Sequence, residues 1–402
     1  MARFPARPEG GERQAGGLMA AGPGRETRID LIRGLSLLLI FAAHCNFGFS
    51  LAIQQSRGFA DASELFVMMA GMSAALAYGP RGEGGSVPTG RILKRAFRLY
   101  AVHVLLVLAL AVVVLLPSPL HSASFWITDP GTLAVWQVEP IRQEPGAFLI
   151  DALTLTALPA DLDILPLYVA LLAVLPLMLL LAGRSVKALL FLSAGVWLLA
   201  GATHADFANH AQPSGQWYFD PLSWQFVFVL GLSFGMAIKA GRDPFPYRPW
   251  LFRFASAFAL LSIPANLVLH FTDWGQLLDG QAHALYALFL SKSFCGVLRL
   301  LDALAVVYLL WNIELVRRAC HLPWLQPVLA AGRHSLPVFA TGLVLSTAIQ
   351  GLIASRIEVP LGLQIVLLLL GCGVQLGIAK AFDRRRTAKA APAPRPRASA
   401  AL

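Results

Sequence analysis

Runs of about twenty apolar residues, cut by clusters of Pro, Gly and charge, recur along this chain and leave it few ways to fold. In "ILPLYVALLAVLPLMLLLAG", residues 164–183, no charge interrupts the run. A helix of that length closes its own backbone hydrogen bonds and reaches ~30 Å, the thickness of a bilayer's hydrocarbon. Ten such runs lie near 29–50, 61–79, 97–117, 164–183, 188–203, 222–240, 254–271, 294–314, 334–353 and 360–382. Composition agrees, with 57% of the 402 residues hydrophobic and only 13% charged, against about 25% charged in a soluble domain. The mean hydropathy is +0.64. The expectation is an all-α, polytopic integral membrane bundle of about ten transmembrane helices over residues 28–383. A disordered tail at 1–27 would precede it and a disordered basic tail at 384–402 would follow.

The formal net charge of +10 invites a nucleic-acid partner, but the basic residues crowd the ends and a few short loops. "RGEGGSVPTGRILKR", "GRSVK", "KAGRDPFPYRPWLFR", "VRRACHLPW" and "DRRRTAKAAPAPRPR" alternate with loops poorer in Lys and Arg. That alternation, with an even span count, places both termini and every basic loop on the cytoplasmic side. Membrane lipid, and no nucleic acid, is the partner it implies. The first 27 residues lack the apolar core of a signal peptide, so the first span would double as the insertion signal. Cys45, Cys295, Cys320 and Cys372 share no close spacing and suggest neither a metal site nor a disulfide framework. "EPGAFLIDALTLTALPADLDI" reads as an interfacial or re-entrant segment.

Several residues sit poorly in lipid. Arg33 and His44 share the first run. Eleven residues apart, they lie about 16 Å apart along a helix and within roughly 20° of one face. One stripe therefore joins two levels of the membrane, which suits a pathway between its sides. Arg33 reaching lipid phosphates and His44 packing in a core remain the plainer alternatives. Asp61 and Glu64, three apart at the head of the second run, would stand level with His44. Either carboxylate could orient the imidazole as a general base. Asp61 also reads as a helix cap with acids at the favourable dipole end. Arg91, Arg95 and Arg98 follow i, i+4, i+7 spacing beside Lys94 and form a basic stripe. Phosphates of a nucleotide-like ligand would bind there, and positive-inside anchoring explains it equally. Arg98 lies furthest into its span. Arg299 and Asp302, at i, i+3, suggest a buried ion pair, and Lys292 lies one heptad away on the Arg299 face, where it could meet an anion. Arg333 and His334 read as a basic helix boundary.

At these residues the chain resembles a known family. "RIDLIRGLSLLLIFAAHCN", "GFADASELFVMMAGMSAALAYG", "LDILPLYVALLAVLP", "FDPLSWQFVFVLGL" and "AAGRHSLPVFATG" resemble, in order, the motifs of OpgC-type membrane proteins. These are similar in turn to the broader type 3 membrane acyltransferases. The resemblance covers residues 28 to 350. It implies about ten helices in a bacterial inner membrane and transfer of an acyl group, succinyl in the OpgC case, to hydroxyls of periplasmic glucans. Acyl-CoA on the cytoplasmic side would be the donor substrate, with no bound cofactor. The broader group carries an Arg, ten residues and a His proposed as catalytic in its first span, a spacing that Arg33 and His44 reproduce. Ala70–Gly71 replaces the usual Ser-Gly of the second span, and Asp220 the usual Asn of an "FNP" motif. Both departures bear on substrate more than on fold.

The expected assignment follows. His44 would be the general base, oriented by Asp61 or Glu64. Arg33, Arg91, Arg95 and Arg98 would hold the donor. Tyr168, Trp224, Gln225, Lys292 and Arg299 would hold the sugar or the acyl carboxylate. Acetyl in place of succinyl stays open, and so does the oligomeric state. With no Ser or Cys nucleophile evident beside the His, direct transfer is favoured over an acyl-enzyme. A transporter could use the same intramembrane charges as substrate and proton sites, typically with an inverted repeat that this chain does not display. A haem carrier would draw axial ligands from His44, His103 or His270, which lie on separate spans without a clear facing pair.

Overall fold

The computed structural model describes residues 26–80, 85–115, 144–158, 161–210, 215–281, 283–354 and 359–390. Most of the two expected tails, and the loop from 116 to 143, lie outside the described residues. The described chain is helical: α1 (Thr27–His44), α2 (Ser50–Gln55), α3 (Ala62–Tyr78), α4 (Thr89–Leu115), α5 (Pro145–Thr154), α6 (Ile164–Arg184), α7 (Val186–Thr203) and α8 (Pro221–Lys239). There follow α9 (Pro249–Phe271), α10 (Trp274–Gln281), α11 (His283–Phe289), α12 (Val297–Asn312), α13 (Glu314–Ala319), α14 (Gln326–Arg333), α15 (Ser335–Ala354) and α16 (Leu361–Ala390). α16 continues past residue 384, where the sequence places the start of a tail. The segment read as interfacial opens as the short helix α5.

Local chemistry sets the helix starts. Asp61 caps α3 in a reciprocal box: its carboxylate accepts from Ser63 N at 2.7 Å, and Asp61 N donates to Glu64 at 2.9 Å. Asp220 caps α8 by accepting from Leu222 N and Ser223 N, with Pro221 pre-set for the first turn. The capping oxygen that an Asn would offer is thus also present in the Asp found here.

Among the described residues, five helices are long and apolar enough to cross a membrane: α6, α7, α8, α9 and α16. A sixth counts if the pair Pro323–Arg333 and Ser335–Gln350, bent by 92°, is one broken span. Phe191 on α7 and Leu260 on α9 are 80% and 68% exposed, as lipid-facing side chains are. The other apolar runs fold as helices too. However, α1 carries Arg28, Asp30 and Arg33, and α3 and α12 are 17 and 16 residues long, about 25 Å. α1, α3 and α12 bury much of their surface against neighbouring helices. α1 packs against α3, α14 and α15, and α3 against α8.

Two contacts are backbone-to-backbone. A Cβ on Gly71 of α3 would lie 2.1 Å from Phe228 O, and one on Gly231 of α8 2.0 Å from Met68 O. A Cβ on Gly34 of α1 or Gly332 of α14 would strike the facing helix as closely. Small residues let membrane helices approach this way where lipid supplies no hydrophobic drive. α1 is thereby fixed in depth, and with it Arg33 and His44.

Candidate functional site: two cavities on one helix

At the C-terminal end of α1 His44 lines a cavity of about 120 Å³ with Asp161, Asp163, Lys292, Ser63 and Tyr218. His44 Nδ1 lies 2.6 Å from Ile40 O, one turn back on its own helix. A carbonyl only accepts, so Nδ1 carries a proton, and Nε2 is the nitrogen turned toward the cavity. Nε2 faces Asp161 Oδ1 at 3.2 Å. Gln350 of α15 fixes both partners, because its Nε2 donates to His44 O and, at 3.0 Å, to Asp161 Oδ2. Asp161 has a φ of 66°, in the left-handed region that non-glycine residues rarely adopt.

The carboxylate beside His44 is therefore Asp161, not Asp61 or Glu64. Those two form a buried cluster with Lys292 and Arg299: Lys292 Nζ is 2.5 Å from Asp61 Oδ2, and Arg299 Nη2 is 2.6 Å from Glu64 Oε1. Arg299 also reaches Asp61 at 3.5 Å. The expected Arg299–Asp302 pair is not formed. Asp302 accepts from Ala60 N at 2.9 Å and from Ser262 at 3.1 Å. Arg299 turns instead to α3, whose capping carboxylates lie closer in space than the residue one turn along its own helix. Lys292 is the member of this cluster that also lines the His44 cavity.

At the other end of α1 a larger cavity, about 670 Å³, is lined by Arg33, Arg95, Arg333, Arg386, Ser335 and Tyr168, among others. Arg33 donates to Ser73 of α3 at 3.2 Å and to Ser335 of α15. Arg333 pairs with Asp383 of α16 at 2.7 Å, and His334 faces the same carboxylate. The bend between α14 and α15 is thus pinned to α16. Of the basic stripe on α4, Arg95 lines this cavity and Arg91 and Arg98 do not. Arg98 is exposed on the helix exterior, because three residues turn it about 60° away from Arg95.

Tyr168 belongs to the Arg33 cavity rather than to His44. Its Oη is buried without a hydrogen-bond partner among the described residues, and its ring meets Phe66 edge-on. Trp224 and Gln225 line neither cavity. Trp224, fully buried, donates to Lys292 O at 3.1 Å and to Ser293 O at 3.0 Å, and so holds the loop that presents Lys292. Gln225 is tied to Ser193 of α7 at 2.5 and 2.8 Å. The sequence suggested substrate contacts for both; in the structure their polar groups bond to neighbouring segments of the chain.

The serines of the His44 cavity point elsewhere. Ser63 donates to Asp61, Ser50 to Ala42 O and Ser346 to Leu343 O. No three metal-ligating side chains gather among the described residues. Residues that sequence reasoning passed over are Asp161, Asp163, Gln350, Ser73, Ser335 and Arg386. The acid pair of "PADLDI", just ahead of an apolar run, was the available signal for the first two.

The arrangement sets an imidazole beside a carboxylate at one end of α1, and a wide cavity with several guanidiniums at the other. Ile164 and Phe339 line both. No match to this chain was found among curated proteins or among solved structures. The family model described as OpgC protein matches residues 25–387, nearly the whole chain. The chain belongs to the OpgC protein family.

Proposed function

We propose that the protein is a membrane O-acyltransferase that moves an acyl group, succinyl in our reading, from acyl-CoA on the cytoplasmic side to a hydroxyl of a periplasmic glucan. It would reside in the bacterial inner membrane with both termini cytoplasmic, as its loop charges suggest. Membership of the OpgC family implies acyltransferase activity in general. The observation that carries the finer reading is the pair of cavities at the two ends of α1, with Ile164 and Phe339 lining both.

In this reading the donor's phosphates lie among Arg33, Arg95, Arg333 and Arg386, where charge-assisted hydrogen bonds hold them. The thioester points along α1 toward His44. A sugar hydroxyl enters the smaller cavity, takes the place of Asp161 at Nε2 of the neutral imidazole, and gives that nitrogen its proton as its oxygen attacks the thioester carbonyl. The new C–O bond forms, the C–S bond breaks, and the leaving thiolate regains a proton from the imidazolium. Asp161 and Ile40 O stabilise the imidazolium on its two nitrogens. Lys292, on the wall of the same cavity, offers a counter-charge to the free carboxylate of a succinyl group.

The test is transfer of label from succinyl-CoA to a β-glucan by detergent-purified protein, wild type against His44→Ala. Loss of about 10²–10⁴-fold in rate by a folded variant is expected, the range of general acid–base catalysis. Equal rates would place the base elsewhere. A wild type inert toward succinyl-CoA, acetyl-CoA and several glycans would refute acyl transfer and favour transport through the same charged pathway.

A further inference from the structure

A donor held at one end of α1 and a base at the other can react only if something passes between the two cavities. Ile164 and Phe339 stand where they meet: both line each cavity, and both are buried, 6% and 8% exposed. Each comes from an element that also carries site residues. Ile164 is the first residue of α6 and directly follows Asp163 of the His44 cavity. Phe339 lies one turn beyond Ser335, the residue of α15 that accepts from Arg33, so the two share a helix face. The partition is apolar, whereas the walls on both sides of it are charged.

Resting on the acyl-transfer reading, we propose that Ile164 and Phe339 form a selectivity partition: they set the size of acyl group that crosses to His44 and keep water from the thioester meanwhile. A slim acyl chain passes between an aliphatic and an aromatic side chain at little cost, while a longer one must displace packed atoms. Cores resist such displacement. An open passage would let water reach the carbonyl and convert acyl-CoA to free acid and CoA thiol without a sugar acceptor. A continuous wet path would also join the two sides of the membrane. Neither side chain carries a group that can donate a proton or form a bond, so their role is selection rather than catalysis.

The experiment compares full-length wild type with Phe339→Leu and Ile164→Val, mild changes chosen to keep the fold, and with Phe339→Ala. Succinyl-CoA and the two-methylene-longer adipyl-CoA are offered with a β-glucan, and CoA release without glucan is recorded. Expected is a rise of about tenfold or more in kcat/KM for adipyl-CoA relative to succinyl-CoA, since one methylene is worth about 10–200-fold in a fitted apolar site. Acceptor-independent CoA release should rise with it. An unchanged ratio in folded variants, with succinyl transfer intact in wild type, overturns the partition and leaves acyl transfer standing.

A second readout needs no acyl chemistry. In a background with the four native cysteines replaced, a Gln54→Cys variant, on the His44 cavity alone, is labelled in sealed vesicles from each side in turn by an impermeant thiol reagent. Labelling from one side with Phe339 present, and from both sides about tenfold more evenly with Phe339→Ala, supports the partition. Equal labelling from both sides with Phe339 present, or no change on its removal, refutes it. If wild type transfers no acyl group, the acyl reading fails and this labelling still decides whether the partition exists.

Discussion

The buried cluster around Glu64 and the cavity around Arg33 are built from the same kinds of residue and end in opposite conditions. In the cluster two carboxylates, Asp61 and Glu64, meet two cations, Lys292 and Arg299, at contact distance. The charges cancel inside the protein, and Glu64 has no solvent exposure at all. Around the cavity four arginines line the same space as two acids, Glu26 and Asp30. An excess of cations facing a space of about 670 Å³ is what an anionic ligand requires, while a balanced set closed on itself is what a membrane bundle requires to bury charge. The balance of charge around each space, with one of the four arginines, Arg333, paired to an acid of α16, separates structure from candidate site.

Breaking the cluster should give the largest effect. Glu64→Ala leaves Arg299 buried with its main partner gone, at a cost of about 3–5 kcal/mol in stability. Thermal unfolding in detergent should show it as a large fall in midpoint. The double variant Glu64→Leu with Arg299→Met removes both charges and should recover most of the loss. A single variant as stable as wild type would mean the cluster contributes nothing to folding.

Asp161 is intermediate, because its partner is an imidazole and its place is a cavity wall. Asp161→Asn keeps the shape and the bond to Gln350 but withdraws the charge that supports imidazolium. We expect kcat to fall about tenfold to a hundredfold with KM for acyl-CoA nearly unchanged. Stability should shift by less than about 1 kcal/mol. A matching loss in Asp61→Asn, without destabilisation, would restore Asp61 as the orienting group and break the distinction between cluster and site.

These cases mark how far the sequence could be read. The helices were legible because apolar length is a local property, and the Arg33–His44 stripe because eleven residues on a helix return to one face. The capping box of α3 was legible from Asp61 and Glu64 alone. The partner of each charge was not. Asp161 meets His44 through a left-handed turn before α6 and through Gln350 of α15, and no short-range spacing encodes such a meeting. Arg299 and Asp302 have the spacing of a pair, but α3 brings a better-placed carboxylate. Span number was legible only in part: five or six of the described helices have the length and apolarity of a span, while α1, α3 and α12 are apolar runs that are shorter or carry charges.

The smallest effect sharpens the comparison most. Arg95 and Arg98 share a helix, a charge and a basic stripe, and differ in the direction they face. Both are exposed, but Arg95 lines the Arg33 cavity and Arg98 does not. If the cavity holds the phosphates of acyl-CoA, Arg95→Ala removes a charge-assisted hydrogen bond worth about 1.5–3 kcal/mol. The KM for donor should then rise roughly tenfold at low salt, with a smaller rise at high salt as screening weakens the remaining contacts. Arg98→Ala should change KM by less than about twofold, since its side chain does not line the cavity. Equal effects from the two would show that the stripe acts through its overall field. A larger effect from Arg98 would move the donor off the cavity and onto the outer face of α4.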